Sequence, residues 1–263
     1  MLQLSEIWIY PIKSMGGIRL KNAKVAEKGL ENDRRWMLVD EQNIFITQRA
    51  HPIMALFKLE RKHENFIIRF KEDSIELPIS SAAEGPEIKT TIWDDEVLTR
   101  EVSASFSNWF SEKMGIACKL VVFPENNKRS VDAKFSINNE QVSLSDGYPI
   151  LIVGQSSLDD LNSRLGSPVP MNRFRPNLVF LGGQPYEEDS WKHFSIGSNK
   201  FAGVKLCSRC ILTTVDQETA TQGKEPLSTL ATYRKRENKI YFGQNVLAID
   251  KNEIHEGDEI TLG

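Results

Sequence analysis

The fold is indicated first by the stretch Phe66-Ile67-Ile68-Arg69-Phe70-Lys71-Glu72-Asp73-Ser74-Ile75-Glu76-Leu77, two short apolar runs separated by polar residues. Similar runs recur about every 8 to 12 residues, as in Trp36–Val39 and Ile44–Thr47, with Gly, Asn and Asp between them. This pattern is typical of an antiparallel barrel or sandwich. A doubly wound sheet requires dense alternation of strands and helices, and that alternation is missing. The sequence therefore predicts an α+β fold that is predominantly β.

Three segments with helical periodicity interrupt the strands. The first is Ser103–Met114, which carries apolar residues on one face and is followed by Gly115 as a helix stop. The second begins with Ser156 or Ser157 as its N-cap and carries a stripe of leucines. The third is short and has Pro226 at its first helical position.

Length and composition limit the class of protein. A chain of 263 residues with 40% hydrophobic residues can bury a sizeable core and form one large or two modest domains. The polar, turn-rich segment 124–128 predicts a boundary near residue 125, which gives domains at 1–125 and 126–263.

Charge and cysteine content exclude further classes of protein. The net charge is −3, from 33 basic and 36 acidic residues, which argues against a general nucleic-acid binder but leaves room for a local basic pocket. No apolar run is long enough to cross a membrane, and the first residues lack a signal-peptide pattern. Three cysteines cannot build a disulfide framework. We expect a soluble, cytoplasmic protein in a reducing compartment.

The segment Lys205-Leu206-Cys207-Ser208-Arg209-Cys210-Ile211-Leu212-Thr213-Thr214-Val215-Asp216 contains a C-x-x-C motif. A zinc knuckle requires a second pair of ligands, and the four histidines are scattered. A thioredoxin-type pair requires a helix after the first cysteine, whereas Ile211–Val215 predicts a strand. Two interpretations stay open here. In the first, Cys210, beside Arg209, is a soft thiolate ligand for a thiophilic metal. In the second, both cysteines are buried and structural.

Three further elements carry basic side chains in loops. Lys13 and Ser14 precede two glycines and could cradle an anion. In Asp33-Arg34-Arg35-Trp36, alternation sends the two arginines to opposite sides, so one of them can face a shared pocket. In Asn172-Arg173-Phe174-Arg175-Pro176-Asn177, we also expect one of Arg173 and Arg175 to face it. Three basic elements and one thiolate would suit an anionic, phosphate-bearing metal cofactor.

Together these segments resemble the MOSC family of molybdenum-cofactor proteins, in particular the mitochondrial amidoxime-reducing component and its bacterial relatives. The resemblance runs from Tyr10-Pro11-Ile12-Lys13-Ser14 to Phe242-Gly243-Gln244-Asn245, in the same order as in the family. It implies an N-terminal β-barrel-like domain over 1–125, followed by a MOSC β-barrel domain with a few helices over 126–263.

The resemblance also implies a molybdopterin cofactor and the residues that hold it. Cys210 matches the protein ligand of the molybdenum and is the implied catalytic residue, while Cys207 is a neighbour in the pocket wall. The implied cofactor-binding residues are Lys13, Ser14, Arg34, Asp146, Arg175, Asn177, Ser208, Arg209 and Asn245. The match of Asp146 to the family motif is weak, because the neighbouring Gly147 and Tyr148 differ from the eukaryotic pattern. Asn245 stands where the eukaryotic enzymes have an aromatic residue.

The implied activity is reduction of N-hydroxylated compounds, such as amidoximes, hydroxylamines or N-hydroxylated bases, by a molybdenum oxidoreductase. The cysteines of an internal iron–sulfur cluster are lacking, so we expect electrons from a separate ferredoxin, flavodoxin or reductase. The alternative is a carrier of sulfur or of molybdenum cofactor that uses Cys210, with a cysteine desulfurase as partner. No nucleic-acid or membrane partner is expected.

Overall fold

The computed structural model describes residues 1–80, 83 and 85–263, and strands dominate them. The strands are β1 (Leu2–Ile9), β2 (Ile18–Leu20), β3 (Asn22–Ala26), β4 (Gly29–Leu30), β5 (Trp36–Val39), β6 (Phe57–Lys62), β7 (Asn65–Phe70), β8 (Asp73–Pro78), β9 (Glu87–Ile92), β10 (Asp95–Glu101), β11 (Lys119–Val122), β12 (Ile150–Gly154), β13 (Leu178–Leu181), β14 (His193–Ile196), β15 (Asn199–Arg209), β16 (Lys235–Arg236), β17 (Lys239–Ala248), β18 (Glu253–His255) and β19 (Glu259–Leu262). The α-helices are α1 (Ala104–Met114), α2 (Gln155–Arg164) and α3 (Leu227–Ala231). Short 3-10 helices cover Pro52–Leu56, Met171–Arg173, Glu187–Ser190 and Ile211–Thr214.

Seven strands close into a barrel in the order β12, β13, β1, β19, β14, β15, β17 and back to β12. Neighbouring strands are antiparallel except β12 and β13, which are parallel and joined through α2. The barrel confirms the predominantly β fold. Its strand β1 comes from the first residues of the chain, while the other six follow residue 149. The two predicted domains therefore share one sheet.

Residues 36–122 form two further sheets around a core rich in aromatic side chains, and β3 pairs with β4 and β18 in a third. One of the two contains the opening stretch Phe66–Leu77, where β7 and β8 pair antiparallel with Ile68 opposite Ile75. The sheet β6–β7–β8 packs against α1, where the Phe57 and Phe110 rings lie 5.5 Å apart. The other sheet has the order β5, β11, β10, β9.

Helix α1 confirms its prediction, whereas the cap predicted for α2 is wrong. Ser103 caps α1 and Gly115 ends it with a left-handed backbone, φ 68°. The N-cap of helix α2 is Gly154, two or three residues before the predicted Ser156 or Ser157. The hydroxyl of Ser157 instead donates to the carboxylate of Glu188, which also accepts the N–H of Gly154 at 3.1 Å. A carboxylate distant in sequence thus takes the place of the cap.

Two smaller predictions also differ from the structure. Pro226 is the N-cap residue of α3 instead of its first helical residue. The strand expected at Ile211–Val215 is a 3-10 turn over Ile211–Thr214. The Thr213 hydroxyl donates to the carbonyl of Cys210 at 3.0 Å, and this local bond favours a turn over an extended chain.

Backbone hydrogen bonds join the loops that surround the end of the barrel. After β1 the chain turns so that the N–H of Lys13 donates to Trp36 and the N–H of Arg34 donates to Tyr10. The carbonyl of Arg34 then accepts the N–H of Leu144 at 3.0 Å. Segments that are more than 100 residues apart in sequence are thereby fixed side by side.

Candidate cofactor-binding site

A cavity of about 260 Å³ opens between these loops and strand β15. All ten residues that the sequence singled out line it: Lys13, Ser14, Arg34, Asp146, Arg175, Asn177, Ser208, Arg209, Cys210 and Asn245. The structure thus brings together the three basic elements and the C-x-x-C motif, which sequence spacing could not do. What each residue binds stays a prediction.

Only one arginine of each neighbouring pair lines the cavity. Arg34 and Arg175 line it. The other two arginines form ion pairs elsewhere: Arg35 with Glu125 at 2.8 Å and Arg173 with Asp216 at 2.9 Å.

The ring of Tyr10 lies between the two arginines of the cavity. The guanidinium carbons of Arg34 and Arg175 lie 4.5 and 4.2 Å from the ring centroid, in cation–π contact. Both arginines have left-handed backbones, with φ of 48° and 54°, a conformation that costs a non-glycine residue about 1 kcal/mol or more. Burial raises the pKa of Tyr10 to about 12, so its phenol stays protonated and donates to Pro176.

Arg34 is held by a buried carboxylate and a buried amide. It donates to Asp33 at 2.6 Å and to the Asn177 side-chain oxygen at 3.0 Å. The Asn177 oxygen also accepts the N–H of Leu151, and its NH2 group donates to the carbonyl of Trp8. The amide of Asn177 is therefore engaged within the protein, and it fixes Arg34 against the ends of β1 and β12.

Arg175 and Lys13 are the most deeply buried cations of the cavity, with 7% and 5% of their surface exposed. Desolvation lowers the pKa of Arg175 to about 10, which leaves it charged at neutral pH, and one N–H donates to Met15 at 2.6 Å. Burial also lowers the pKa of Lys13, and the neighbouring Asp146 carboxylate opposes this shift.

Asp146 is the only carboxylate among the described residues that line the cavity. It accepts from the Lys13 ammonium at 2.5 Å and from the Trp93 indole at 3.2 Å. Desolvation raises the pKa of Asp146, but the Lys13 charge and hydrogen bond outweigh it, and the pKa falls below its usual 3.8. Asp146 is thus ionised at neutral pH and orients Lys13.

The two thiols of the C-x-x-C motif have different surroundings. Arg209 lies with one nitrogen 2.9 Å from the sulfur of Cys207 and another donating to the carbonyl of Phe174. The guanidinium of Arg209 therefore contacts the first thiol of the motif. Cys210 follows the end of β15 and is exposed, and its sulfur has no hydrogen-bond partner among the described residues.

Clusters of metal-ligating side chains are absent from residues 1–80, 83 and 85–263: no group of three or more His, Cys, Asp or Glu side chains there could hold a metal ion.

No helix in the described part of the chain is long and apolar enough to cross a membrane.

Two family models cover most of the sequence. The MOSC N-terminal beta barrel domain matches residues 1–117, and the MOSC domain matches residues 139–261. The chain belongs to the MOSC family. The predicted boundary at residue 125 lies between the two matched ranges and stays a proposal.

Relatives of this MOSC protein are similar over different shares of their length. The mitochondrial amidoxime-reducing component 1 of Mus musculus is 33% identical, across 98% of this chain and 82% of the relative. The mitochondrial amidoxime reducing component 2 of Homo sapiens is also 33% identical, across 88% and 72%. The molybdenum cofactor sulfurase of Oryza sativa is 30% identical, across 99% of this chain but only 34% of the relative.

The MOSC cavity is strongly cationic although the whole chain is slightly acidic. Six cationic side chains line it against the single carboxylate of Asp146. Two of the six, Arg49 and Lys205, were missed from the sequence. Lys205 lies two residues before Cys207, and bulges in β15 after Gly203 and Leu206 let consecutive residues 205–210 all reach the cavity. Arg49 has no sequence signal, since only the tertiary fold brings it here.

Proposed function

We propose that this MOSC protein is a molybdenum-cofactor-dependent oxidoreductase that reduces N-hydroxylated compounds, such as amidoximes, hydroxylamines and N-hydroxylated bases. One observation carries the proposal. The exposed Cys210 thiol, which has no hydrogen-bond partner among the described residues, lies in a cavity with six cationic side chains. A thiolate is a suitable ligand for a thiophilic metal, and guanidinium and ammonium groups bind phosphate.

The residues present fit a cofactor that brings most of its own metal ligands. The cavity offers sulfur from Cys210 and no three-ligand group in the described chain, so the remaining ligands would come from the dithiolene of molybdopterin. Membership of the MOSC family, with relatives named for amidoxime reduction and for the molybdenum cofactor, implies that this chain binds the molybdenum cofactor.

The cavity residues divide into groups that would bind the cofactor and groups that position them. Arg34, Arg175 and Lys13 would hold the phosphate, since they are the deeply placed cations. Ser14 and Arg209 would assist them. The hydroxyl of Ser208 and the amide of Asn245 lack partners within the described residues and are free to bind the pterin edge. Asn177 and Asp146 are positioning residues, because their polar atoms already hold Arg34 and Lys13.

The cofactor would supply the two-electron redox couple of the reaction. In the proposed reaction an amidoxime takes up two electrons and two protons, its N–O bond breaks, and amidine and water are released. The electrons come from a separate donor protein, such as a ferredoxin, a flavodoxin or a reductase. The Asp146 carboxyl, whose pKa is lowered, carries no proton to donate at neutral pH, and the proposed proton source is water. The cytoplasmic location stays a prediction from the sequence.

The activity can be tested on protein made in a host that synthesises molybdenum cofactor. Reduced methyl viologen supplies electrons, benzamidoxime is the substrate, and benzamidine is quantified by chromatography. We expect benzamidine from the wild type and from Cys118→Ala, whose buried thiol is outside the cavity, and none from Cys210→Ala. Molybdenum-loaded wild type that forms no benzamidine would overturn the proposed activity.

A second candidate function is supported by the exposure of the Cys210 loop. Ser208 and Ile211 on either side are also exposed, so a partner such as a cysteine desulfurase could reach the thiol and leave a persulfide for handover. The extent of similarity favours the reductase, because this chain spans 82% of the mouse relative but 34% of the rice sulfurase. Intact mass after incubation with a cysteine desulfurase and cysteine separates the two. A gain of one sulfur on wild type, absent from Cys210→Ala and without bound molybdenum, would favour the carrier.

A further inference from the structure

Two cations of the cavity differ from the other four. Four of them donate hydrogen bonds to acceptors of the protein: Lys13, Arg34, Arg175 and Arg209. Arg49 and Lys205 have no hydrogen bond and no ion pair to any residue in the described ranges, although both line the cavity. Neither side chain is therefore paired with a hydrogen-bond acceptor or a carboxylate within 4 Å in the described part of the chain.

Aromatic rings hold both side chains in place. The Arg49 guanidinium lies 4.0 Å from the Trp93 ring, and the Lys205 ammonium lies 4.4 Å from the Phe135 ring and 5.3 Å from the Tyr148 ring. A ring face orients a cation without neutralising it. Both positive charges are thus pre-positioned and still able to bind an anion.

Their depth separates them from the predicted phosphate site. Of the cations assigned to the phosphate, Lys13 and Arg175 are buried and the Arg34 side chain is 14% exposed. Arg49 and Lys205 are half-buried, and Trp93, which supports Arg49, is 41% exposed. A cofactor that stays bound would occupy the deeper cations. The two outer cations are placed for a molecule that arrives from solvent.

A hydrogen-bond donor accompanies Lys205. Strands β15 and β17 place Lys205 directly opposite Asn245, whose amide also lines the cavity and has no partner in the described part of the chain. Its NH2 group has two N–H donors, so one can bind the pterin edge while the other is available to an anion at Lys205. An ammonium next to an amide N–H is a suitable pair of donors for a carboxylate or phosphate. Arg49 is near Asp146 and helps to lower its pKa, so that carboxylate offsets part of its charge. We therefore expect Lys205 to bind an anion more strongly than Arg49 does.

We propose that Arg49 and Lys205 form a substrate subsite for an anionic group, so that this protein prefers N-hydroxylated substrates that carry a carboxylate or phosphate. The reaction part of this proposal rests on the proposed function, whereas the anion preference does not. The preference can be measured by binding alone.

The test compares para-carboxybenzamidoxime with its neutral analogue para-carbamoylbenzamidoxime. Dissociation constants are measured by calorimetry on molybdenum-loaded protein without an electron donor, so no turnover is needed. We expect the wild type to bind the carboxylate about tenfold more tightly, and Lys205→Met to lose more of this preference than Arg49→Met. The double variant should bind both compounds equally. Lys134→Met is the matched control, because Lys134 contacts the same Phe135 ring at 5.5 Å without lining the cavity.

Each outcome bears on the proposal. Equal affinities in the wild type, or a preference that persists in the double variant, would overturn it. Loss of molybdenum and pterin from the double variant would assign the two cations to the cofactor phosphate and would also overturn it. If the wild type prefers the carboxylate but, given reduced methyl viologen, reduces neither compound, the subsite stands and the proposed reductase activity fails.

Discussion

The side-chain amides of Gln48 and Gln217 hydrogen-bond each other in both directions, at 3.2 and 2.9 Å, although 169 positions separate them in sequence. Both are buried. Gln48 also donates to the carbonyl of Ser14, and Gln217 donates to that of Val215. The pair thereby fixes the loop of Ser14 against the segment that follows Cys210.

We predict that Gln48→Ala and Gln217→Ala each lower the free energy of unfolding by about 1–3 kcal/mol, because each leaves a buried amide without its partner. The double variant should cost less than the sum of the two, since the same interaction is lost in both. Urea unfolding of the protein measures all three. The molybdenum content of all three variants should also fall, because the loop of Ser14 is no longer held at a fixed distance from Cys210.

The control for this pair is Gln155→Ala, whose amide bonds only to Asp159 at the surface and should change the free energy of unfolding by about 0.5 kcal/mol or less. Strictly additive costs, or single-variant costs no larger than that of the control, would contradict the role assigned to the pair.

Local sequence signals predicted those elements that local interactions determine. The strands β7 and β8 and the helix α1 with its stop at Gly115 follow from short apolar runs, helical periodicity and the glycine. Elements that depend on distant partners were missed. Glu188 replaces the expected serine cap of α2, and β1 completes a barrel whose other strands follow residue 149. Neither contact leaves a signal in nearby sequence.

A second prediction concerns Asp33, the buried carboxylate that accepts from the N–H of Tyr10 at 2.8 Å and from Arg34 at 2.6 Å. Asp33→Ala should lower the free energy of unfolding by about 3 kcal/mol, because it leaves the largely buried Arg34 charge without its carboxylate. Thermal or urea unfolding measures the loss. Glu60→Ala removes the partner of Arg69 in an ion pair that is half exposed on both sides and should cost under about 1 kcal/mol. Equal costs for the two variants would be evidence against a structural role for Asp33.

A third prediction is a pH dependence that Asp146 introduces. Its pKa in the folded protein is below the usual 3.8, because the charge and hydrogen bond of Lys13 outweigh the desolvation of this carboxylate, whose side chain is 63% exposed. Ionised Asp146 therefore stabilises the fold above pH 3.8, and this stabilisation is lost as the pH falls from 3.8 towards the lower folded value. The wild type should be more stable than Asp146→Asn at neutral pH, and the difference should shrink below pH 3.8.

Melting temperatures of both proteins between about pH 6 and about pH 3 test this difference. Asp94→Asn serves as the control, since it removes the same charge at an exposed position on the turn between β9 and β10. If the difference in melting temperature between wild type and Asp146→Asn is constant across this pH range, Lys13 and Asp146 do not interact as the structure indicates.

The candidate site was predicted in its residues but not in its internal contacts. The basic pairs and the cysteine motif pointed to the residues that line the cavity. Sequence could not reveal that Arg209 contacts Cys207, because its guanidinium is positioned by the carbonyl of Phe174, which lies 35 positions away. It also could not reveal Arg49, whose place depends on the Trp93 ring.

The central claim is that Cys210 is the protein ligand of a molybdenum cofactor. The most direct test measures molybdenum and pterin per chain in the wild type, in Cys210→Ala and in Cys207→Ala, all purified from a host that makes the cofactor. We predict that the wild type and Cys207→Ala retain molybdenum, and that Cys210→Ala loses most of it. Equal molybdenum content in wild type and Cys210→Ala would contradict the assignment.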